Sequence, residues 1–119
     1  MTITLYGIPN CDTVKKARAW LDAQGLSYHF HDHKKAGVNE AKLRGWVDLA
    51  GWEKVLNRQG MTFRKLPESQ RGDLDADKAV AVMLAKPSAI KRPIVEHGEG
   101  LLVGFDPAGW STALAGESR

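Results

Sequence analysis

Ile3-Thr-Leu-Tyr-Gly-Ile-Pro-Asn-Cys11-Asp-Thr-Val-Lys-Lys-Ala-Arg-Ala-Trp-Leu21 changes its hydrophobic period at a single point. Thr2 to Tyr6 alternates polar and apolar residues and is β-branched, which reads as a strand, and Gly7 to Asn10 supplies turn chemistry. From Cys11 to Gln24 the apolar residues Val14, Ala17 and Leu21 recur at helical spacing, flanked by Ala19 and Trp20, and Gly25 is placed to end the helix. Cys11 therefore opens a helix that follows a strand. Unpaired amide N–H groups and the macrodipole at such a terminus favour an anion, and a thiol is nucleophilic only as its thiolate. Asp12 works against that charge, while Lys15 and Lys16 support it. The alternative for a free cysteine is a small buried core residue.

Outward from this stretch the periods alternate again. Leu26 to His33 sets Tyr28 and Phe30 against His29, His31 and His33, a second strand with unlike faces. Asn39 to Val55 carries Leu43, Trp46, Val47 and Leu49 at helical intervals, with Gly51 as a break between two short helices and Gly60 as the stop of the second. Pro67 to Asp73 is polar and reads as a loop. Asp75 to Ala85 returns to helix over Ala79, Val82 and Met83, and Pro87 ends it. Pro93 to Glu96 and Leu101 to Val103 form two short strands joined by the His97-Gly-Glu-Gly turn, a hairpin signal. Pro107 to Leu114 predicts a last helix. The expected fold is α/β, a mixed four-stranded sheet covered by helices, in one domain over residues 1–119.

The 119 residues are 43% apolar and 26% charged, which suits one globular core and excludes a disordered chain. No apolar run reaches the length of a membrane span, and Met1 to Asn10 lacks the features of a signal peptide, so a cytoplasmic location without membrane association is expected. The net charge of +3 is spread along the chain, and Lys86, Lys91 and Arg92 are interrupted by apolar residues, so no nucleic-acid partner is expected. Cys11 is the single cysteine, and Val14 stands where a Cys-x-x-Cys motif has its second thiol. Any disulfide is then intermolecular, and a redox cycle needs an external thiol. His29, His31 and His33 would share one strand face about 6.5 to 7 Å apart, close enough for two to share a metal. An exposed edge strand gives the same alternation, so no metal is expected. Trp20, Trp46, Trp52 and Trp110 fall at apolar positions of predicted helices and read as core.

Three segments together carry a resemblance: Ile3-Thr-Leu-Tyr-Gly-Ile-Pro-Asn-Cys11, Leu56-Asn-Arg58-Gln-Gly60 and Ile90-Lys-Arg92-Pro93-Ile-Val95. In order and spacing they resemble the arsenate reductase (ArsC)/Spx family, and Asn-Cys11-Asp-Thr-Val-Lys-Lys-Ala, Phe63-Arg-Lys-Leu and Gly104-Phe105-Asp look closest to its YffB branch of glutathione-dependent thiol reductases. The resemblance implies a thioredoxin-like fold, a proline at Pro93 that is commonly cis beside the cysteine loop, and Cys11 as nucleophile. It further implies that Arg58 and Arg92, with Asn10, Thr13 and Pro93, bind substrate or glutathione. A guanidinium fork suits a tetrahedral oxyanion or a glutathione carboxylate. Glutathione would be the co-substrate, with glutaredoxin as a protein partner and a small-molecule or protein thiol or disulfide as substrate.

The chain departs from the arsenate reductases of that family at three places. Their third arginine is matched by Gly104 or Phe105, their histidine four residues before the cysteine by Gly7, and their hydroxyl residue three after it by Val14. Thiol transfer survives these losses better than arsenate reduction does. The alternatives to a thiol reductase are an arsenate reductase proper and a Spx-like regulator that binds RNA polymerase and catalyses nothing.

Overall fold

The structure is a computed structural model and describes residues 2–98 and 100–115. The chain divides into two compact units, one running up to Ala36 and resuming at Arg92, the other Gly37–Lys91.

The first unit is a four-stranded sheet in the order β2-β1-β3-β4, where β1 is Ile3–Gly7, β2 is His29–Asp32, β3 is Ile94–His97 and β4 is Gly100–Val103. β2 runs parallel to β1, with Leu5 opposite Phe30 and Gly7 opposite Asp32, whereas β3 and β4 are antiparallel to their neighbours. The crossover from β1 to β2 is helix α1, Asp12–Ala23, as a parallel connection requires. Its stripe of Val14, Ala17 and Leu21 is fully buried with Leu5 and Val95, each large side chain contributing about 1.5–3 kcal/mol. Trp110 joins the same cluster from helix α8, Pro107–Ala113, whose N-cap Asp106 accepts a hydrogen bond from Gly109 N. Its ring meets Phe105 and Trp20 edge-on at 4.9 and 5.8 Å, and its Nε1 donates to Gly104 O at 3.1 Å.

Helix α2 is a single turn, His33–Ala36, at the end of this unit's first segment. The second unit is helical. Helix α3, Glu40–Ala50, is capped by the Asn39 side chain, and Gly51, at φ 90°, separates it from α4, Trp52–Val55. Two further single turns, α5 at Met61–Arg64 and α6 at Glu68–Arg71, lead to α7, Ala76–Ala85, capped by Asp75. Pro87–Ala89 is a 3-10 turn. The segment after α4 is tied back by Asn57 N to Ala89 O at 2.8 Å and by Lys91 N to Val55 O at 2.7 Å. No helix among the described residues is long and apolar enough to cross a membrane.

The expected mixed sheet, hairpin and main helices are present, and five details differ. The second strand stops at Asp32, and His33 opens α2 instead of continuing the strand's polar face. Leu49, expected in the buried stripe of α3, is 66% exposed, because it lies six residues past Leu43 and so well round the helix from it. Helix α4 ends at Val55, and Gly60 is the N-cap of α5 instead of a stop. The polar 67–73 stretch holds the turn α6. Trp20 and Trp52 are only half-buried, unlike Trp46 and Trp110. Glu99 of the hairpin turn lies outside the described residues.

Candidate active site around Cys11

The β1 strand ends where its side chains meet the first turn of α1. A Cβ on Gly7 would lie 2.8 Å from Val14 Cγ2, so the strand end approaches the helix as closely as a missing side chain allows. The loop that follows delivers Cys11 as the N-cap of α1, with φ −98° and ψ 124°. Its carbonyl accepts from Lys15 N at 2.9 Å, and its thiol makes no capping hydrogen bond. Cys11 is half-buried, packed against the core cluster. Asn10 and Thr13, on either side of it in the chain, are exposed.

The antiparallel register sets Tyr6 opposite Ile94, which brings Pro93 to the level of Gly7, at the strand end from which the cysteine loop departs. Pro93 is buried and its bond to Arg92 is cis, as the resemblance implied. Gly104 N donates to Pro93 O at 2.8 Å, from a φ of 77° that favours glycine. Arg92 precedes this proline and is half-buried. The carboxyl ends of the parallel strands β1 and β2 therefore share one end of the sheet with Arg92 and Pro93, the usual place for a ligand in such a sheet.

His33, expected on the polar face of the second strand with His29 and His31, is instead buried at this end of the sheet. It is 3% exposed, and the Tyr6 ring stacks on it at 6.0 Å with 24° between the planes. His31 contacts both, at 4.9 Å from Tyr6 and 5.8 Å from His33. Burial, followed by the charges of His31 and Arg92, pushes His33 well below the ordinary imidazole value of 6.5, to about 4, with Asp32 opposing. The alternation of His29, His31 and His33 carried no signal that the third would turn inward. Among the described residues no group of three histidines, cysteines or carboxylates is arranged to hold a metal ion.

Gly104 and Phe105, which match the third arginine of the arsenate reductases, are engaged with Pro93 O and with the Trp110 ring. Arg58 belongs to the second unit, where it is exposed and its guanidinium lies 5.3 Å from the centre of the Trp52 ring. That cation–π contact gives Trp52 a use other than core packing.

Residues 6–113 match the ArsC family. The chain belongs to the ArsC family. Its structure is similar to that of a YffB protein, at 54% identity and a TM-score of 0.93, covering 95% of this chain and 99% of that one. It is also similar to an arsenate reductase (ArsC) related protein from Brucella melitensis, at 50% identity and a TM-score of 0.77, covering 94% and 93%. Among curated relatives, a global transcriptional regulator Spx from Streptococcus agalactiae serotype V is 26% identical over 87% of this chain and 77% of its own. The mixed sheet of this ArsC-family chain is thioredoxin-like. What its first unit offers chemically is a half-buried cysteine at a helix N-terminus, with a guanidinium and two imidazoles at the same end of the sheet.

Proposed function

We propose that this protein is a cytoplasmic glutathione-dependent thiol/disulfide reductase whose nucleophile is Cys11. The observation that carries the reading is a single, half-buried cysteine at the N-cap of α1, with the fully buried Val14 where a resolving thiol would stand. The Cys11 thiolate attacks one sulfur of a substrate disulfide and displaces the other as a thiolate. Glutathione then attacks Cys11 Sγ in the mixed disulfide, releasing the second substrate thiol and leaving glutathionylated Cys11. A second glutathione, alone or through glutaredoxin, regenerates the Cys11 thiolate and leaves as oxidised glutathione. Two glutathione thiols are thereby oxidised for one disulfide reduced.

Arg92, with Asn10, Thr13 and the Pro93 segment, orients the anionic groups of the ligand. Arg58 is assigned to the same ligand by the family resemblance. The test is intact mass after incubation with oxidised glutathione, beside calorimetry with reduced glutathione. A mixed disulfide on Cys11 is expected, absent from Cys11→Ser, while Arg92→Ala and Arg58→Ala each weaken binding about 10- to 150-fold through loss of one charge-assisted bond. Unmodified protein with a freely alkylated Cys11 would sink the reading.

The similarity to Spx supports a second reading, a regulator that binds RNA polymerase. Val14 removes the dithiol such a redox switch uses, which makes it the weaker of the two. Capture of the polymerase α subunit by this protein would favour it.

A further inference from the structure

His33 is buried at the sheet end that carries Arg92, and the groups brought against it come from every strand around it. Tyr6 stacks on it from β1, and His31 and Asp32 reach it from β2. Gly7, paired with Asp32 on one side and level with Pro93 on the other, sets His33 and Arg92 at the same end of the sheet, and Glu96 of β3 accepts a hydrogen bond from the Tyr6 hydroxyl at 2.7 Å. Asp32 favours a charge on the imidazole, and its Oδ1 is engaged by the Lys34 amide at 2.8 Å. A proton placed on His33 therefore adds a second positive charge at the sheet end that carries Arg92, on an imidazole that little water reaches.

An anion seated on Arg92 changes that balance, because it cancels the charge that opposes the imidazolium. We propose that His33, with His31 beside it, couples anion binding at Arg92 to the uptake of one proton. The inference rests on Arg92 as an anion-binding residue and adds a histidine to its site. Linkage makes the effect reciprocal: an anion that eases protonation of His33 is itself bound more tightly once His33 is protonated. The ligand chemistry is a carboxylate or a tetrahedral oxyanion. His33 acts through Arg92 and is a positioning residue, since only 3% of it is exposed for direct contact.

The experiment follows the His33 ring signals by NMR against pH, in the wild-type protein with and without saturating inorganic sulfate, and in Arg92→Gln without any anion. The His33 midpoint is expected to rise in both cases, and in Arg92→Gln added sulfate should move it no further. Calorimetry between pH 7 and 4.5 should show sulfate binding tighter as pH falls, by at most about tenfold per pH unit for one proton taken up. His33→Phe and the milder His33→Asn should flatten that profile while leaving a basal affinity. Reduced glutathione in place of sulfate distinguishes a carboxylate from an oxyanion as the preferred source. A His33 midpoint unmoved by both sulfate and Arg92→Gln would overturn the coupling, as would sulfate binding with the same pH profile in the His33 variants. Formation of the Cys11 mixed disulfide is measured separately, so its failure would remove the reductase reading without touching this result.

Discussion

Gly7 and Val14 are fitted to each other across the junction of β1 and α1, with the position of a Gly7 Cβ only 2.8 Å from Val14 Cγ2. These are two of the three positions where the chain departs from the arsenate reductases it resembles. They are therefore one packing event: the bare strand end makes room for a branched side chain that is fully buried. Gly7→Ala is expected to cost about 1–3 kcal/mol by overpacking, and Val14→Ala to relieve much of that cost when the two are combined. Urea denaturation of the two single variants and the double variant gives the coupling. Strictly additive losses would show that the two positions do not share the space.

His33 makes the fold sensitive to acid. Its value falls from 6.5 to about 4 in the folded protein, so between those limits the unfolded chain binds the proton more readily than the folded one. Its contribution to stability is complete above about pH 6.5 and is lost as pH falls toward 4, to a total of about 3 kcal/mol. His33→Phe, which keeps an aromatic ring against Tyr6, is expected to flatten this part of the stability profile. Chemical denaturation at steps from pH 7 to 4 measures it, and identical slopes in the two proteins would contradict the assignment.

Arsenate turnover is expected to be poor beside thiol transfer. Gly104 has no side chain and spends its N–H on Pro93 O, and Phe105 is packed against Trp110, so neither supplies the donor that a third arginine gives an oxyanion. Both activities should be assayed with glutathione and glutaredoxin present. Arsenate reduction as fast as disulfide reduction would show that this chain needs no third arginine.

Trp110 holds Gly104 by its Nε1 hydrogen bond, and Gly104 in turn holds Pro93. Trp110→Phe keeps most of the apolar area but leaves the Gly104 carbonyl without that donor, at a cost of about 1–3 kcal/mol. The loss should appear in thermal unfolding, accompanied by faster alkylation of Cys11 as the Pro93 segment loosens. An alkylation rate equal to the wild type would separate Trp110 from the site.

Much of the fold was legible because it rests on local periods. Val14, Ala17 and Leu21 mark the buried stripe of α1, Gly51 marks the break after α3, and the His97 to Gly100 turn marks the hairpin. Gly60 misled because a glycine serves a helix start as readily as a stop, and the neighbouring residues hold no signal that separates the two. Leu49 misled because an apolar residue near a stripe is not always on it.

Residue order alone establishes that one thiol opens a helix after a strand and that no second thiol stands near it in the chain. Which side chains gather at the end of the sheet was a tertiary matter. Pro93 reaches the level of Gly7 only through the register of β3 on β1, and Arg92 and His33, 59 positions apart in the chain, come to the same end of the sheet only through the pairing of β2 and β3 with β1. His33 itself shows the limit most clearly. Its two-residue spacing from His31 is that of an exposed strand face, and only the end of β2 at Asp32, with the turn into α2, sends its ring inward against Tyr6.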